Sequence, residues 1–425
     1  MGRLLQPLLK TGQQYQPITW DEACQHIAKH SQNAGEHKTL VMASGDYSNE
    51  ELYLIQRLAR TGLHTNALGS FDYYKRGTSF FIDKNDIVPF AELFGAGKFY
   101  TLLDPKANAL SQKTALEIMD ACPNTPRYEF NTHDTLQIRD FGSFFRSINH
   151  YLIRNNLAKG IYVQGLGKQY DQYKEQILSE DLSEVLAANN LTENDIKTFA
   201  EELLHTEAPV FVIWEPFLDD RGIIELENMC MLLDIQAKPS SGFLSLKAEL
   251  NSQGLFDMGI FPEICVGGEP FDEENRKLMC ELYGQPAHTD SVDLPARIAA
   301  RDFDQCYLFN ATGAEMPAEI METAQQCSWR VLQTAFWEES NASFDLLLPA
   351  SLPQECDGTF TDSARAAHNS KADSECPLTC NNLQLFSKIS KAFGLPKLDN
   401  ATDVFMEYIS FFHGGCRSQL RHFFR

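Results

Sequence analysis

No window in this 425-residue chain approaches the roughly 18 continuous apolar residues that a membrane-crossing helix needs. The opening Met1-Gly-Arg-Leu-Leu-Gln-Pro7 also lacks a charged stretch leading into a long apolar one, the pattern of an export leader. Positive charge is scarce. Lys and Arg number 36 against 58 Asp and Glu, a net charge of −22. Phosphate binding rests on clustered cations, so nucleic acid is excluded as an expected partner. The one long basic run closes the chain at Cys416-Arg-Ser-Gln-Leu-Arg-His-Phe-Phe-Arg425, read as a solvated end or else a docking segment for an acidic subunit. Eleven cysteines without regular spacing suit a reducing compartment better than a disulfide framework. The expectation is a cytoplasmic protein. Repeats, Gly/Ser linkers and low-complexity tracts are missing too, so composition marks no domain boundary.

What is present is a chain with 43% hydrophobic residues, long enough for two or three domains with their own cores. Short β-branched and apolar runs recur at Thr39–Ala43, Phe99–Leu103, Pro209–Trp214, Cys306–Phe309, Arg330–Gln333 and Leu346–Leu348, separated by helical patterns. Such an alternation predicts an α/β fold with parallel sheets covered by helices on both faces. Thr19 followed three residues later by Glu22 has the spacing of a capping box opening a helix over Asp21–His30. Leu52, Leu54, Ile55 and Leu58 lie on one side of a second helix, Glu50–Arg60.

Several segments carry a resemblance. They are Pro17-Ile-Thr-Trp-Asp-Glu-Ala23, Ala43-Ser-Gly-Asp-Tyr-Ser-Asn-Glu-Glu-Leu-Tyr53 with Gln56 and Arg60, and Thr65-Asn66. Further along come Leu191–Ile196, Asn251-Ser-Gln-Gly-Leu-Phe-Asp-Met-Gly259 and Asn275-Arg276 to Gln285. Last are Phe336–Ser351, then Glu355-Cys-Asp-Gly-Thr-Phe-Thr-Asp362 with Arg365. In this order they resemble the large subunits of molybdopterin oxidoreductases, the superfamily that includes formate dehydrogenase and the largest peripheral subunit of respiratory complex I.

The resemblance implies two Rossmann-like parallel-sheet domains, one inserted in the other: residues 1–67 with 282–425, and residues 68–281. It implies molybdopterin guanine dinucleotide as cofactor, held by loops after parallel strands. The cleft residues it points to are Asn251, Gln253, Gly254, Gly313, Glu339, Thr361, Asp362 and Arg365. Gly254, Gly259 and Gly313 would allow close backbone approach, or are simply turn glycines. Iron–sulfur and flavin redox subunits are the partners it suggests.

The departures fall on cofactor contacts. The family's Cys-x2-Cys-x3-Cys iron–sulfur pattern is absent, and the chain is expected to lack both that N-terminal domain and the C-terminal β-barrel. The loop Gly69-Ser-Phe-Asp-Tyr-Tyr-Lys-Arg-Gly77, where the metal-ligating residue should fall, holds neither Cys nor His. An ungapped match puts Lys75 at the ligand position and Arg76 at the following histidine, and neither cation has a lone pair for a metal. Leu103–Leu110 replaces a glycine-containing phosphate loop with one bearing Asp104, which Lys106 could offset. Leu136–Ser143 holds no counterpart of another cofactor loop.

The expected function is therefore a molybdopterin-oxidoreductase-like subunit of a cytosolic multi-subunit redox complex, a scaffold without its own molybdenum centre. The alternatives are a pterin-binding catalytic subunit completed by separate iron–sulfur and barrel chains, and a nucleotide-binding module. No catalytic residue or metal ligand is assigned. Cys356, Cys376 and Cys380 with His368 between them read as unrelated thiols, because Pro377 interrupts a regular helix there and no Cys-x2-Cys pair completes a site. His64 and His133-Asp134 read as surface groups. Tyr73, Tyr74, Lys75, Arg76 and Phe80 are expected to fill part of the cofactor space, with Lys75 or Arg76 paired to a carboxylate such as Glu339 or Asp362.

Overall fold

The apolar runs become strands because each is short, continuous and bounded by turn or capping residues. In chain order the strands are β1 (Gly2–Arg3), β2 (Leu8–Thr11), β3 (Gln14–Pro17), β4 (Thr39–Ala43), β5 (Leu68–Ser70), β6 (Lys98–Leu102), β7 (Arg127–Glu129) and β8 (Pro209–Trp214). They continue as β9 (Gly242–Leu246), β10 (Gln305–Phe309), β11 (Trp329–Thr334), β12 (Phe336–Trp337), β13 (Leu346–Pro349), β14 (Gly358–Thr361) and β15 (Ala367–Ser370). This computed structural model describes residues 2–32, 34–35, 38–78, 80, 87–158, 167–235, 238–398 and 400–413, so the basic run at 416–425 lies outside the described residues. Two compact units divide them. Unit 1 takes residues within Met1–Lys75, Asn251–Asp362 and Ala367–Ser418; unit 2 takes Arg76–Leu250 with Ser363–Ala366.

Unit 1 is built on a seven-stranded sheet in the order β3-β2-β13-β11-β10-β4-β5. Strands β13, β11, β10, β4 and β5 are parallel, and β4, β10 and β13 are buried along their whole length. That burial is why they read as unbroken apolar runs. The sheet is not purely parallel, as expected from the alternation of runs and helices, because β2 and β3 form an antiparallel hairpin along β13. Only Gly12 and Gln13 separate the two strands, a connection too short for a parallel crossover. Gly12 supplies the left-handed turn at φ +65°, and the polar Gln14–Pro17 strand protects the edge.

Two helices of unit 1 begin on capping boxes, the first of them read from the sequence. Thr19 and Glu22 close a capping box on helix Trp20–Ser31, and Ser48 and Glu51 do the same for helix Asn49–Arg57. The second helix is buried on every side and continues through a wider, π-type turn, Leu58–Gly62. Arg60 in that turn is fully buried. Its guanidinium donates to Gln56 Oε1 (2.8 Å), Asn66 Oδ1 (3.0 Å) and the carbonyls of Phe261 (2.9 Å) and Ile264 (3.0 Å). Asn66 in turn donates to the carbonyls of Pro262 and Asp290, both at 2.8 Å. Gln56, Arg60 and Asn66, all part of the sequence resemblance, thus brace the scaffold.

Unit 2 carries a parallel four-stranded sheet, β7-β6-β8-β9. One face packs an aromatic cluster in which Phe130, Phe144 and Phe199 meet at centroid distances of 5.2–5.8 Å. Beneath it Arg146 is held by Glu180 and Glu225, while Asn149 and Tyr173 donate to the same Glu225 carboxylate. Among the described residues, no helix is long and apolar enough to cross a membrane.

Candidate functional site

In an open parallel sheet, the loops on either side of the point where strand order reverses diverge and leave a crevice at the strand carboxyl ends. In unit 1 the chain steps outward from β4 to β5, and from β10 through β11 to β13 in the other direction. The reversal therefore lies between β4 and β10, at the loops beginning with Ser44 and Asn310. Asp46 in the first loop accepts a hydrogen bond from Thr312 Oγ1 in the second and stands 3.3 Å from Ser44 Oγ. Burial raises the Asp46 pKa above the usual carboxylate range.

A cavity of about 300 Å³ opens beside the second loop, lined by Asn310, Gly313, Glu315, Thr334, Glu338 and Ser340 among others. The Asn310 amide clasps the loop, donating to Ala314 O (2.7 Å) and accepting from Ala314 N (3.0 Å). That clasp demands a left-handed residue within it, and Gly313 provides φ +74°. The cavity wall carries two carboxylates and neither lysine nor arginine.

On the other side of the β4 loop, Asn251 ties three distant segments. Its backbone N–H donates to Gly45 O (2.7 Å), and its amide donates to Tyr47 O (2.8 Å) and Asn49 Oδ1 (3.0 Å). Asn251 Oδ1 accepts from the Thr361 N–H (2.7 Å), while Asn49 donates to Thr361 Oγ1 (3.0 Å). Gly254 completes the knot by omission, since a Cβ there would sit 2.3 Å from the amide oxygens of both Asn251 and Asn49.

The structure thus brings Asn251, Gly254 and Thr361 together and sets Gln253 in the same short helix, where it donates to Asp257 (3.1 Å). Gly313 lies across the crevice in the cavity wall. Glu339 is exposed, flanked by the cavity residues Glu338 and Ser340. Asp362 stands 2.8 Å from His368 Nε2. Arg365 is grouped with unit 2 and has a left-handed backbone, φ +61°. Asp46, Thr312, Glu315 and Glu338 were not singled out from the sequence. The strand order that makes their loops converge is nonlocal, and only the Asn310-to-Gly313 turn left a local signal.

The unit 1 crevice does not suit a cofactor phosphate, and the charged groups of the unit 2 crevice are engaged with one another. In unit 1 the amino end of helix Asn49–Arg57 is taken by the protein's own carboxylates. Glu51 accepts from Ser48 N (2.9 Å) and Glu50 from Thr359 N (2.9 Å), and Asp46 adds a third acid where a phosphate would need donors. In unit 2 the reversal falls between β6 and β8, and Glu215 directly follows β8 with its side chain fully buried. Its carboxylate accepts from Ser245 Oγ (2.9 Å) and from Lys247, whose ammonium also donates to Phe80 O (3.0 Å). Arg76 lies 3.4 Å from the same carboxylate, donates to Glu215 O (2.9 Å) and stacks 3.8 Å over the Phe80 ring. Burial lowers the pKa of Lys247, and the Glu215 charge works against that loss.

Lys75 and Arg76 were expected to pair with a carboxylate such as Glu339 or Asp362, and each does find a carboxylate, Glu319 and Glu215 respectively. Lys75 Nζ is 2.6 Å from Glu319, which also accepts from Tyr74 OH at 3.0 Å, and Arg76 pairs with Glu215. The reason is the tight turn after β5, where Tyr74 N bonds Ser70 O (3.1 Å). It directs Lys75 to helix Ala318–Gln326 and makes Arg76 the first residue of unit 2. Tyr73 and Phe80 are buried, at 1% exposure each. No group of three or more His, Cys, Asp or Glu gathers as a metal site among the described residues. A molybdenum ligand at Lys75 does not fit either, since its ammonium is committed to Glu319.

Fold and site together define an α/β protein with one mixed and one parallel sheet whose strand-end crevices carry the protein's own charged groups. The resemblance read from the sequence is borne out: residues 3–85 match the family described as molybdopterin oxidoreductase. Curated relatives include two Staphylococcus aureus proteins, from strains RF122 and USA300, each named "Putative formate dehydrogenase". Each is 21% identical over 403 residues, covering 85% of this chain and 40% of the relative. The chain thus spans about two fifths of the length of these relatives. Acetylene hydratase from Pelobacter acetylenicus superposes with a TM-score of 0.63 at 14% identity, covering 92% of this chain and 61% of that one. The formyltransferase/hydrolase complex from Methylorubrum extorquens, solved with methylofuran, contains a chain matching with a TM-score of 0.54 at 13% identity, covering 91% of this chain and 98% of that one. At these identities the likeness is one of fold.

Proposed function

We propose that this chain is a molybdopterin-oxidoreductase-like subunit of a cytoplasmic multi-subunit redox complex, serving as a scaffold without a molybdenum centre of its own. The observation that carries this reading is Lys75, which the sequence resemblance implies stands at the metal-ligand position, bound to Glu319 at 2.6 Å. The Glu215, Lys247 and Arg76 network in unit 2 supports it, because both cations at those strand ends are engaged by the protein's own carboxylate. The near-complete coverage of a chain from the Methylorubrum complex favours a role among partner subunits; iron–sulfur and flavin subunits are the partners in this proposal. Metal analysis of the chain purified with its native partners tests it. The expected result is molybdenum and tungsten far below one atom per chain with no extractable pterin. About one metal atom and pterin per chain would establish the catalytic alternative, with Asn251, Gln253, Gly254, Gly313, Glu339, Thr361, Asp362 and Arg365 as its cofactor residues.

A second reading, a nucleotide-binding module, is favoured by the cavity of about 300 Å³ at Gly313. Its carboxylates can accept from a ribose or an amino-bearing base but repel a phosphate. Guanosine raising the thermal midpoint where guanosine triphosphate does not would support it.

A further inference from the structure

In the wall of the cavity at Gly313 one buried polar group has no bond to make. Thr334, at the end of β11, is 2% exposed and lines the wall, yet among the described residues its hydroxyl meets no hydrogen-bond partner. The oxygen faces open space. A Cβ built on Gly313 would lie 3.5 Å from Thr334 Oγ1 and within 4 Å of no other nonadjacent residue. A buried hydroxyl left without a bond costs stability. The fold keeps one here all the same, aimed into a cavity of about 300 Å³, a volume at the low end of those that hold small molecules.

The charges on the same wall are uncompensated too. Glu315 is exposed and Glu338 half-buried, and among the described residues neither forms an ion pair or a side-chain hydrogen bond. One cation comes near. Arg3 stands 5.4 Å from the Phe336 ring centroid, but its guanidinium is held by Glu355 (2.6 Å) and the Ala350 carbonyl (3.0 Å). A neutral nucleoside would leave both carboxylates without a counter-charge, and a phosphate would be repelled. A bare divalent cation calls for a shell of oxygens, whereas this wall sets apolar Met316 and Phe336 beside its two carboxylates. The set suits an ammonium group on a carbon stem: carboxylates for the charge, the Thr334 oxygen to accept an N–H, and thioether and ring for the methylenes. One ring is no aromatic cage, so a primary amine is favoured over a quaternary one.

We propose that this cavity binds a small primary diamine in its ammonium form, with Glu315 and Glu338 matching its charge and Thr334 accepting one of its N–H groups. The proposal departs from the nucleoside reading of the same cavity and is independent of whether the chain holds a metal.

Titration calorimetry of the full chain at neutral pH and low ionic strength tests it, with putrescine as the probe. Saturable binding at one site per chain is expected. Glu338→Gln should weaken it about tenfold, because it removes a charge next to the ammonium. Asp134→Asn removes an equal charge from an exposed position in unit 2 and should leave the affinity unchanged; equal weakening in both variants would mean attraction by net charge alone and overturn the proposal. Thr334→Val should weaken binding about threefold or more while the thermal midpoint without ligand holds or rises, since the hydroxyl has no bond to lose. A midpoint that falls with affinity unchanged would make Thr334 a structural residue and overturn its role. No saturable binding at millimolar putrescine would overturn the whole proposal. So would binding of tetramethylammonium or calcium as tight as that of putrescine, and tighter binding of guanosine would return the cavity to the nucleoside reading.

Discussion

Lys75 and Glu319 stand 2.6 Å apart with about half of each side chain in solvent, whereas Lys247 and Glu215 form an ion pair from which water is excluded. The two lysines should therefore answer differently to removal. Lys75→Ala should leave the thermal midpoint within about 2 °C of the parent, as exposed pairs contribute little. Lys247→Ala leaves a buried carboxylate short of its closest cation and should cost about 3 kcal/mol. Urea unfolding of both variants checks this, and equal effects would contradict the contrast.

The amide knot predicts a steric penalty. Gly254→Ala inserts a Cβ within 2.3 Å of two amide oxygens and should destabilise unit 1 by about 2 kcal/mol. In Asn49→Ala, one of those oxygens is gone, and the same substitution should cost measurably less. A double-mutant cycle reads the coupling directly; strict additivity would mean that the clash is relieved elsewhere.

Glu51 gives a pH dependence. Its carboxyl is fully buried and pushed up to about 7, chiefly by burial and against the hydrogen bond from Ser48. The folded state therefore prefers the protonated form. The stabilisation from this group is fully present below the ordinary value of 4.5 and is lost as pH rises from there through about 7. Glu51→Gln keeps an acceptor for the cap and removes the titration. Relative to the parent it should gain stability as pH rises from 5 to 8, approaching about 3 kcal/mol. Denaturation midpoints at pH 5 and 8 test the sign; a variant whose advantage shrinks with rising pH would refute it.

These partnerships show where the sequence was and was not informative. Strands β4 and β8 lie where their apolar runs predicted, Thr39–Ala43 and Pro209–Trp214, since burial on both faces leaves a continuous local signature. The β2–β3 hairpin escaped because an edge strand such as Gln14–Pro17 has little apolar content to show. Asn251, Gly254 and Thr361 were legible as unusual residues in a family pattern. Their mutual packing was not, because Thr361 meets Asn251 across 110 positions of chain. Which carboxylates pair with Lys75 and Arg76 was not legible for a related reason: Arg76 finds Glu215 across 139 positions, and the choice depends on the direction in which the chain leaves β5.

The pairing of β4 with β10 sets Leu40 beside Cys306, and it has a consequence for how the chain leaves the ribosome. At about 5–20 residues per second, β4 waits roughly 10–50 s for its neighbour to be synthesised. The four strands of unit 2 all emerge within that interval, so its sheet can close while β4, with only β5 available beside it, still exposes its other edge. Nascent chains halted shortly before residue 305 should therefore present a protease-resistant unit 2 attached to a sticky, cleavable amino-terminal segment, the stage at which a holdase would protect the growing polypeptide.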